Sequence, residues 1–301
     1  MTSTNNIPVS VIGGYLGSGK TTLINQLLRN ADGRKLAVLV NEFGALPIDA
    51  DLIEAQSDTM ISISGGCVCC SYGNDLIQAL LEISKLESAP DHILIESSGV
   101  ALPGAIAASV SINGNFEIAG IITVVDSELI LEQASNEYIG DTIERQLGDS
   151  DIVLLNKCDL VDEVHLAYLE SWLVEKALYA TAVRVTYASL PNSIVLQDYV
   201  RDTRKQNISF NSHTNIFESQ VIEFSKEYDA NIVAQKLADP EFNLLRSKGF
   251  VPTPSGLQAI QTVGRRWSVT DAPPDAKPGV VVIAEKLNSK IHSLIRIFND
   301  E

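Results

Sequence analysis

The sequence predicts an α/β fold: a doubly wound, mostly parallel sheet with helices on both faces, followed by a smaller carboxy-terminal α+β domain. Three observations predict it. Short runs of Val, Ile and Leu recur through the first two thirds of the chain with helix-length stretches between them, the pattern of a parallel sheet covered on both sides. The first run ends in glycines that lead directly into a helix-forming stretch, giving strand, loop and helix within about twenty residues. Beyond residue 215 the rhythm changes to alternating strands and paired turns, which suits an antiparallel sheet.

In order, Val9–Gly13 reads as the first strand and Gly19 to Asn30 as the first helix. Further strands are expected at Leu36–Val40, His92–Ile95, Ile118–Val125, Ile152–Leu155 and Ala182–Tyr187, with helices near Leu76–Leu86, Leu129–Glu137 and Glu163–Lys176. Around 201–215 the stretch RDTRKQNISFNSHTN is polar and weakly periodic. The chain therefore divides into a domain at 1–205, a linker at 206–215 and a second domain at 216–301. In that second domain Phe217–Phe224 alternates as a strand, Ala230–Ala238 and Glu241–Ser247 read as helices, and Leu257–Val263 pairs with Trp267–Thr270 about Gly264. A last strand at Val280–Ala284 and a helix at Leu287–Phe298 follow three prolines, Pro273, Pro274 and Pro278.

With 301 residues, 45% of them apolar, the chain can fill one large core and a smaller one. Its formal charge is −16. Residues 1–214 carry 12 basic against 27 acidic side chains, and residues 215–301 carry 10 against 11. So acidic a surface is poorly suited to nucleic-acid phosphates or an anionic membrane, so neither is an expected partner. No apolar run approaches the roughly 20 residues of a membrane helix, and MTSTNNIPVS lacks a basic start, so a cytoplasmic protein is expected. Three of the four cysteines fall within four residues, which suits metal or redox chemistry in a reducing compartment better than a disulfide scaffold.

Gly14-Tyr-Leu-Gly-Ser-Gly19-Lys20-Thr21 fits the G-x-x-x-x-G-K-[ST] phosphate loop, in the required setting between strand and helix. Its glycines let backbone N–H groups turn toward phosphates, aided by the positive end of the helix dipole. Lys20 is expected to reach the β and γ phosphates and Thr21 to hold Mg²⁺, with Gly14, Gly17, Ser18, Gly19 and Thr22 completing the nucleotide-facing set. His92-Ile-Leu-Ile-Glu96-Ser-Ser-Gly99 is an apolar strand ending in a carboxylate and a glycine, where such sheets face their ligands. Glu96 would order Mg²⁺ or the attacking water, and Gly99 would offer its N–H to the γ-phosphate; a solvated strand terminus is the alternative for Glu96. Asp126 has a similar position and a weaker claim.

Asp151-Ile-Val-Leu-Leu-Asn156-Lys157-Cys158-Asp159 is a buried-type strand followed by N-K-x-D. A carboxylate at Asp159 can accept from guanine N1–H and its 2-amino group, neither of which adenine offers, and matched polar contacts of this kind discriminate strongly. Asn156 would brace the loop and base edge, and the Lys157 stem would cover the purine face. Together with the phosphate loop, this points to GTP. Ala188-Ser189 is the best candidate for a second guanine-contacting loop.

Gly65-Gly66-Cys67-Val68-Cys69-Cys70 lies between the two phosphate-side elements. Its three soft thiolates can serve one Zn²⁺, leaving a fourth position for another group. A redox thiol pair and plain buried cysteines stay open as alternatives. Asn41-Glu42-Phe43-Gly44, with Asp49 and Asp51 beyond it, falls where a nucleotide-sensitive loop is expected, so Glu42 would touch Mg²⁺ or complete the zinc shell; an acidic surface loop is the alternative and fits Asp49 and Asp51 better than Glu42. His92, His165, His213 and His292 are scattered and read as structural or surface residues. Arg265, Arg266 and Trp267 read as a packed turn, with a cation–π partner surface as the alternative.

GGYLGSGKTT, NEFG, GGCVCC, ESSG, VVD and NKCD in this order resemble the CobW-related GTPases, a family of zinc chaperones, cobalamin-synthesis metal inserters and nitrile hydratase activators. LRSKGFV at 245–251 and VGRRW at 263–267 are similar to that family's carboxy-terminal domain. The resemblance implies a doubly wound GTPase with slow intrinsic hydrolysis, Zn²⁺ binding through Cys67, Cys69 and Cys70, and delivery of the metal to a client metalloprotein; a monomer or homodimer is expected. Two departures matter: Ala45 stands where many members have a second glutamate, and the histidine-rich stretch of many members is absent, so metal capacity is expected to be small. A nucleotide-dependent small-molecule kinase and a GTP-binding, metal-responsive regulatory module are the rival functions.

Overall fold

The computed structural model describes residues 6–31, 33–40, 60–62, 74–86, 88–196, 216–274, 276–286 and 289–299. It divides into two compact units, Met1–Leu178 with Ala182–Gln197, and Tyr179–Thr181 with Asp198–Glu301. Among the described residues, no helix is long and apolar enough to cross a membrane.

The first unit is built on a seven-stranded sheet. Its strands are β1 (Ile7–Gly13), β2 (Leu36–Val40), β3 (Met60–Ser62), β4 (His92–Glu96), β5 (Phe116–Asp126), β6 (Ile152–Asn156) and β7 (Thr181–Arg184), ordered β3-β2-β4-β1-β5-β6-β7. β1 runs parallel to β4 and β5, β2 to β3 and β4, and β5 to β6. The register brings Ile12 beside Glu96, Gly13 beside Thr123, and Asp126 beside Asn156. Parallel strands carry their carboxyl ends to one edge, so these residues share the edge where open α/β sheets bind ligands.

Helix α1 (Lys20–Arg29) buries Leu23, Ile24, Leu27 and Leu28, one stripe of its surface. Val9, Val11, Ile93 and Ile95 pack with Leu80 and Ile83 of α2 (Asn74–Ser84) and with Ile106 and Val110 of α3 (Pro103–Ser111). Side chains alternate along a strand, so Ser10 points the other way. There Ser10 Oγ donates to Val195 O at 2.8 Å and lies 2.9 Å from His92 Nε2. This buried tie fastens α7 (Asn192–Val195) to the sheet and uses His92 structurally, as its isolation in the sequence suggests.

α3 and the short helices α4 (Ile130–Ser135) and α5 (Gly140–Gly148) sharpen the sequence reading. α3 is made largely of Ala, Ser and Gly, which carry little apolar periodicity, but Pro103 at its first turn marks its start. α6 (Glu163–Lys176) begins at Asp162, whose carboxylate caps His165 N at 2.8 Å.

The second unit holds an antiparallel sheet of β8 (Phe217–Ile222), β9 (Leu244–Thr253), β10 (Gly256–Val263), β11 (Arg266–Asp271) and β12 (Gly279–Glu285), ordered β11-β10-β9-β12-β8. Helices α8 (Ala230–Leu237) and α9 (Ile291–Asn299) cover it, burying Val233, Leu237, Leu294 and Phe298 against Val251, Val280 and Val282. Phe224, Tyr228 and Phe298 meet edge to face with centroids 5.6 to 5.7 Å apart, and Tyr228 Oη donates to Phe298 O at 2.8 Å. Arg265 and Arg266 sit at the β10–β11 hairpin about Gly264.

One expected helix is a turn and a strand instead. Glu241–Ser247 is not a helix: Pro240–Phe242 form a single 3₁₀ turn, and the chain then enters β9 at Leu244. β9 is the central strand, paired with β10 and β12, and buries Arg246 and Ser247 at 3% and 1% exposure. Polar residues inside a central strand erase the alternation that would have identified it. α9 starts at Ile291, beyond the expected Leu287, which lies outside the described residues with Asn288.

Candidate nucleotide site

The loop from Gly14 to Gly19 leaves β1 and enters α1 with its glycines at positive φ: +128° at Gly14, +76° at Gly17 and +111° at Gly19. The space beside two of them is also closed to a side chain. A Cβ on Gly14 would lie 2.1 Å from Val124 O, and one on Gly19 would lie 2.5 Å from Asn156 Nδ2. Only glycine lets the backbone turn here and approach its neighbours so closely. Lys20 is 6% exposed and its Nζ donates to Tyr15 O at 3.1 Å, which holds the cation over the loop. Ser18 is 2% exposed and its Oγ has no hydrogen-bond partner among the described residues. A buried hydroxyl without a partner is costly, and in a glycine-rich loop that opens a helix it suits a phosphate oxygen.

Thr21 Oγ1 donates to Glu96 Oε1 at 2.9 Å, joining the first turn of α1 to the end of β4. Glu96 is 2% exposed. Hydroxyl and carboxylate oxygens are hard donors of the kind Mg²⁺ selects, so this pair fits a magnesium ion at the phosphates. Gly99 is buried close by: a Cβ there would lie 2.6 Å from Leu16 Cδ2 and 2.8 Å from Leu16 N, so its backbone abuts the phosphate loop. Thr22 is exposed on the helix.

Asn156 joins this half of the site to the other. Its Nδ2 donates to Ser18 O at 2.8 Å, and its Oδ1 accepts from Ala188 N at 2.8 Å. Both ends of one buried carboxamide are thus used, one on the phosphate loop and one on the loop after β7. Gln26 Nε2 of α1 reaches that loop too, donating to Ser189 Oγ at 3.0 Å. Lys157, Tyr187 and Ala188 all take left-handed φ, at 63°, 52° and 51°. Each such residue costs about 1–2 kcal/mol, and strain of this kind gathers at functional sites. Asp159 follows within a 3₁₀ turn and is exposed.

Lys157 also has a partner the sequence reading did not supply. Its Nζ meets Asp126 Oδ2 at 2.5 Å, with Asp126 3% and Lys157 35% exposed. The pair fixes the lysine stem at the loop and gives the carboxylate closing β5 a structural task. Cys158 is half-buried: Sγ donates to Leu155 O at 2.9 Å and lies 3.7 Å from Ser127 Oγ. Burial pushes its thiol pKa up, against the lowering effect of the Ser127 hydroxyl, so it stays a neutral thiol. His165 Nε2 lies 3.0 Å from Ser127 O and His292 Nε2 lies 3.4 Å from Gln220 Nε2, so both serve local contacts. Arg184 of β7 is held by Glu170 in a two-point pair at 2.7 and 2.8 Å and by Glu163 at 2.6 Å. Glu170 first and Glu163 second raise its already high pKa.

The structure thus brings together Gly14, Gly17, Ser18, Gly19, Lys20, Thr21, Glu96, Gly99, Asn156 and Lys157 along one sheet edge. Glu42, Cys67, Cys69 and Cys70 lie outside the described residues, as do Asn41, Gly44, Asp49, Asp51 and His213. No group of three or more His, Cys, Asp or Glu suited to a metal occurs among the described residues.

Residues 8–182 match the family profile described as CobW/HypB/UreG, nucleotide-binding domain, and residues 217–299 match the cobalamin synthesis protein cobW C-terminal domain. The protein named zinc chaperone CobW from Sinorhizobium sp is 30% identical over 305 residues, covering 86% of each chain. The zinc-regulated GTPase metalloprotein activator 1 of Dictyostelium discoideum is 34% identical over 237 residues, 66% of this chain and 50% of that protein. The crystal structure of the Zn(II)-bound YjiA GTPase from E. coli aligns over 98% of both chains at 25% identity, with a TM-score of 0.48. The chain therefore belongs to the CobW/HypB/UreG family, with the cobW carboxy-terminal domain following its nucleotide-binding domain.

Proposed function

We propose that this protein is a slow GTPase that binds Zn²⁺, or a similar divalent metal, at Cys67, Cys69 and Cys70 and passes it to a client metalloprotein in a nucleotide-dependent way. The observation that carries the nucleotide half is the Asn156 carboxamide, bonded to Ser18 O on one side and Ala188 N on the other. It makes the phosphate loop and the N-K-C-D strand end one site. The exposed Asp159 carboxylate then accepts from guanine N1–H and the 2-amino group, and the Lys157 stem covers the ring. Lys20 leaves Tyr15 O for the β and γ oxygens, and Ser18 Oγ gains its missing partner.

Thr21 and Glu96 would hold Mg²⁺, which when bound neutralises charge on the β and γ phosphates. Glu96 at the end of β4 and the Gly99 N–H would serve the γ-phosphate, one orienting water and the other steadying the oxygens that gain charge. Glu42 would join them from its loop. Support for the metal half comes from the C-x-C-C run and from relatives named zinc chaperone and zinc-regulated GTPase.

Phosphate release tests the reading directly. GTP should be preferred over ATP by at least about a hundredfold, with unassisted turnover on the order of 10⁻⁴ to 10⁻² per second. Phosphate transferred to an acceptor instead of released would make the protein a kinase. Anaerobic metal analysis with a non-hydrolysable GTP analogue or GDP bound tests the rest: Cys67→Ser, Cys69→Ser and Cys70→Ser should each lose Zn²⁺, and retention should differ between nucleotides. Equal Zn²⁺ affinity in both states would remove the coupling. Full metal-handling activity in Lys20→Ala would indicate a regulatory module instead.

A further inference from the structure

The carboxyl-terminal half of helix α5 grips the segment that carries Gly99. Gln146, 1% exposed, donates through Nε2 to Gly99 O at 3.1 Å and to Ala101 O at 2.8 Å. Three residues on, on the same side of the helix, Asp149 Oδ2 accepts from Gly104 N at 3.0 Å. A carboxylate at the first turn of α3 also complements that helix's dipole. The anchor is itself fixed: Ser150 Oγ lies 2.8 Å from Gln146 O and 2.6 Å from Thr123 Oγ1 on β5.

The other end of the gripped segment presses on the phosphate loop. Gly99 lies so close to Leu16 that a Cβ would meet its side chain at 2.6 Å, and Pro103 packs over Gly13, whose own Cβ would lie 3.0 Å from Pro103 Cγ. Residues 99–104 are therefore held between the phosphate loop and α5, and the two Gln146 bonds set the orientation of the peptides next to Gly99.

Resting on the GTPase reading above, we propose that Gln146 is a positioning residue for the terminal phosphate. It holds the Gly99 turn in the arrangement that receives a γ-phosphate, and any shift of that turn with nucleotide state is passed to α5. A diphosphate has no γ-phosphate to present to Gly99, so Gln146 acts on triphosphate binding and hydrolysis and leaves diphosphate affinity alone. Only a side chain that donates to two carbonyls does this. Leucine has no donor, and a glutamate carboxylate at the same place faces two carbonyl oxygens with none.

The test compares wild type, Gln146→Leu and Gln146→Glu by GDP affinity, GTPγS affinity and single-turnover phosphate release, with melting temperature recorded for each. The variants should keep GDP affinity within about twofold while GTPγS affinity and release rate fall by about ten- to a hundredfold, as expected for two buried hydrogen bonds. A melting temperature lowered with the GTPγS-to-GDP ratio and release rate unchanged would make Gln146 merely structural and overturn the proposal. Should neither variant fold, hydrogen exchange on the wild type decides. Protection in residues 140–150 should change between GDP and GTPγS together with residues 97–104, and a change confined to 97–104 overturns it. If the wild type itself releases no phosphate from GTP, the GTPase reading fails and this inference with it; variants indistinguishable from an active wild type sink this inference alone.

Discussion

An alanine at residue 14 would place its Cβ 2.1 Å from the Val124 carbonyl in a backbone at φ +128°. Neither the β5 backbone nor the turn can yield cheaply. Gly14→Ala should cost about 3 kcal/mol or more and abolish nucleotide binding, measured by denaturant unfolding and by titration with a fluorescent guanine nucleotide. Asp159→Asn replaces an acceptor with a group that offers guanine a donor, so GTP affinity should fall by at least about tenfold while the melting temperature of the free protein stays put, since Asp159 is exposed. Cys158 makes a different kind of prediction. Its thiol pKa is raised by burial, so the neutral form is favoured in the fold, and its contribution to stability is complete below the ordinary thiol range and declines as pH rises above it. Alkylation of Cys158 at neutral pH should be slow until the protein is denatured, and Cys158→Ser should leave Zn²⁺ stoichiometry unchanged. Retention of Zn²⁺ only when Cys158 is present would move the metal site to the base loop.

At the scale of elements, Arg184 fastens β7 to α6 through its two-point bond to Glu170 and a third contact to Glu163. A lysine keeps the charge but cannot make the planar two-point bond. Arg184→Lys should lower stability by about 1 kcal/mol, read from urea midpoints, because Glu163 is 74% exposed and water replaces that contact readily. The same scale explains what the sequence disclosed. β1, β2, β4, β5 and β6 were legible because strands covered on both faces read as unbroken Val, Ile and Leu, and the glycine spacing of 14, 17 and 19 announced the turn into α1. The hairpin of β10 and β11 was legible from Gly264. β9 was not, because Arg246, Ser247 and Lys248 occupy a central strand and hide its alternation. α5 and its Gln146 were equally hidden: a glutamine in a short helix between two glycines carries no motif, and its value lies in which carbonyls the fold brings within 3.1 Å. Likewise Asp126 and Lys157 are 31 residues apart, and only the neighbouring ends of β5 and β6 make them a pair.

For the whole molecule, each unit closes its own core, one around Val9, Ile93 and Ile106 and the other around Val233, Val282 and Phe298. The residues proposed to bind nucleotide lie entirely in the first. Scanning calorimetry should therefore show the transition of the first unit moving upward with GDP, by an amount equivalent to about 2.7 kcal/mol at a hundredfold excess over Kd, and the transition of the second unit unmoved. Phe298→Ala should do the reverse, lowering the second transition by an amount equivalent to about 3–5 kcal/mol through loss of a buried aromatic and leaving GDP affinity intact. The Asn156 carboxamide has a final consequence for how such a machine empties itself. One planar group serves as the hinge pin for both halves of the proposed nucleotide berth, so slackening the purine end would also unlatch the phosphate end. Spent nucleotide should accordingly depart in a single kinetic step, with guanosine and pyrophosphate tails loosening together, and a partner protein that levers the 186–190 loop would hasten that departure from a distance.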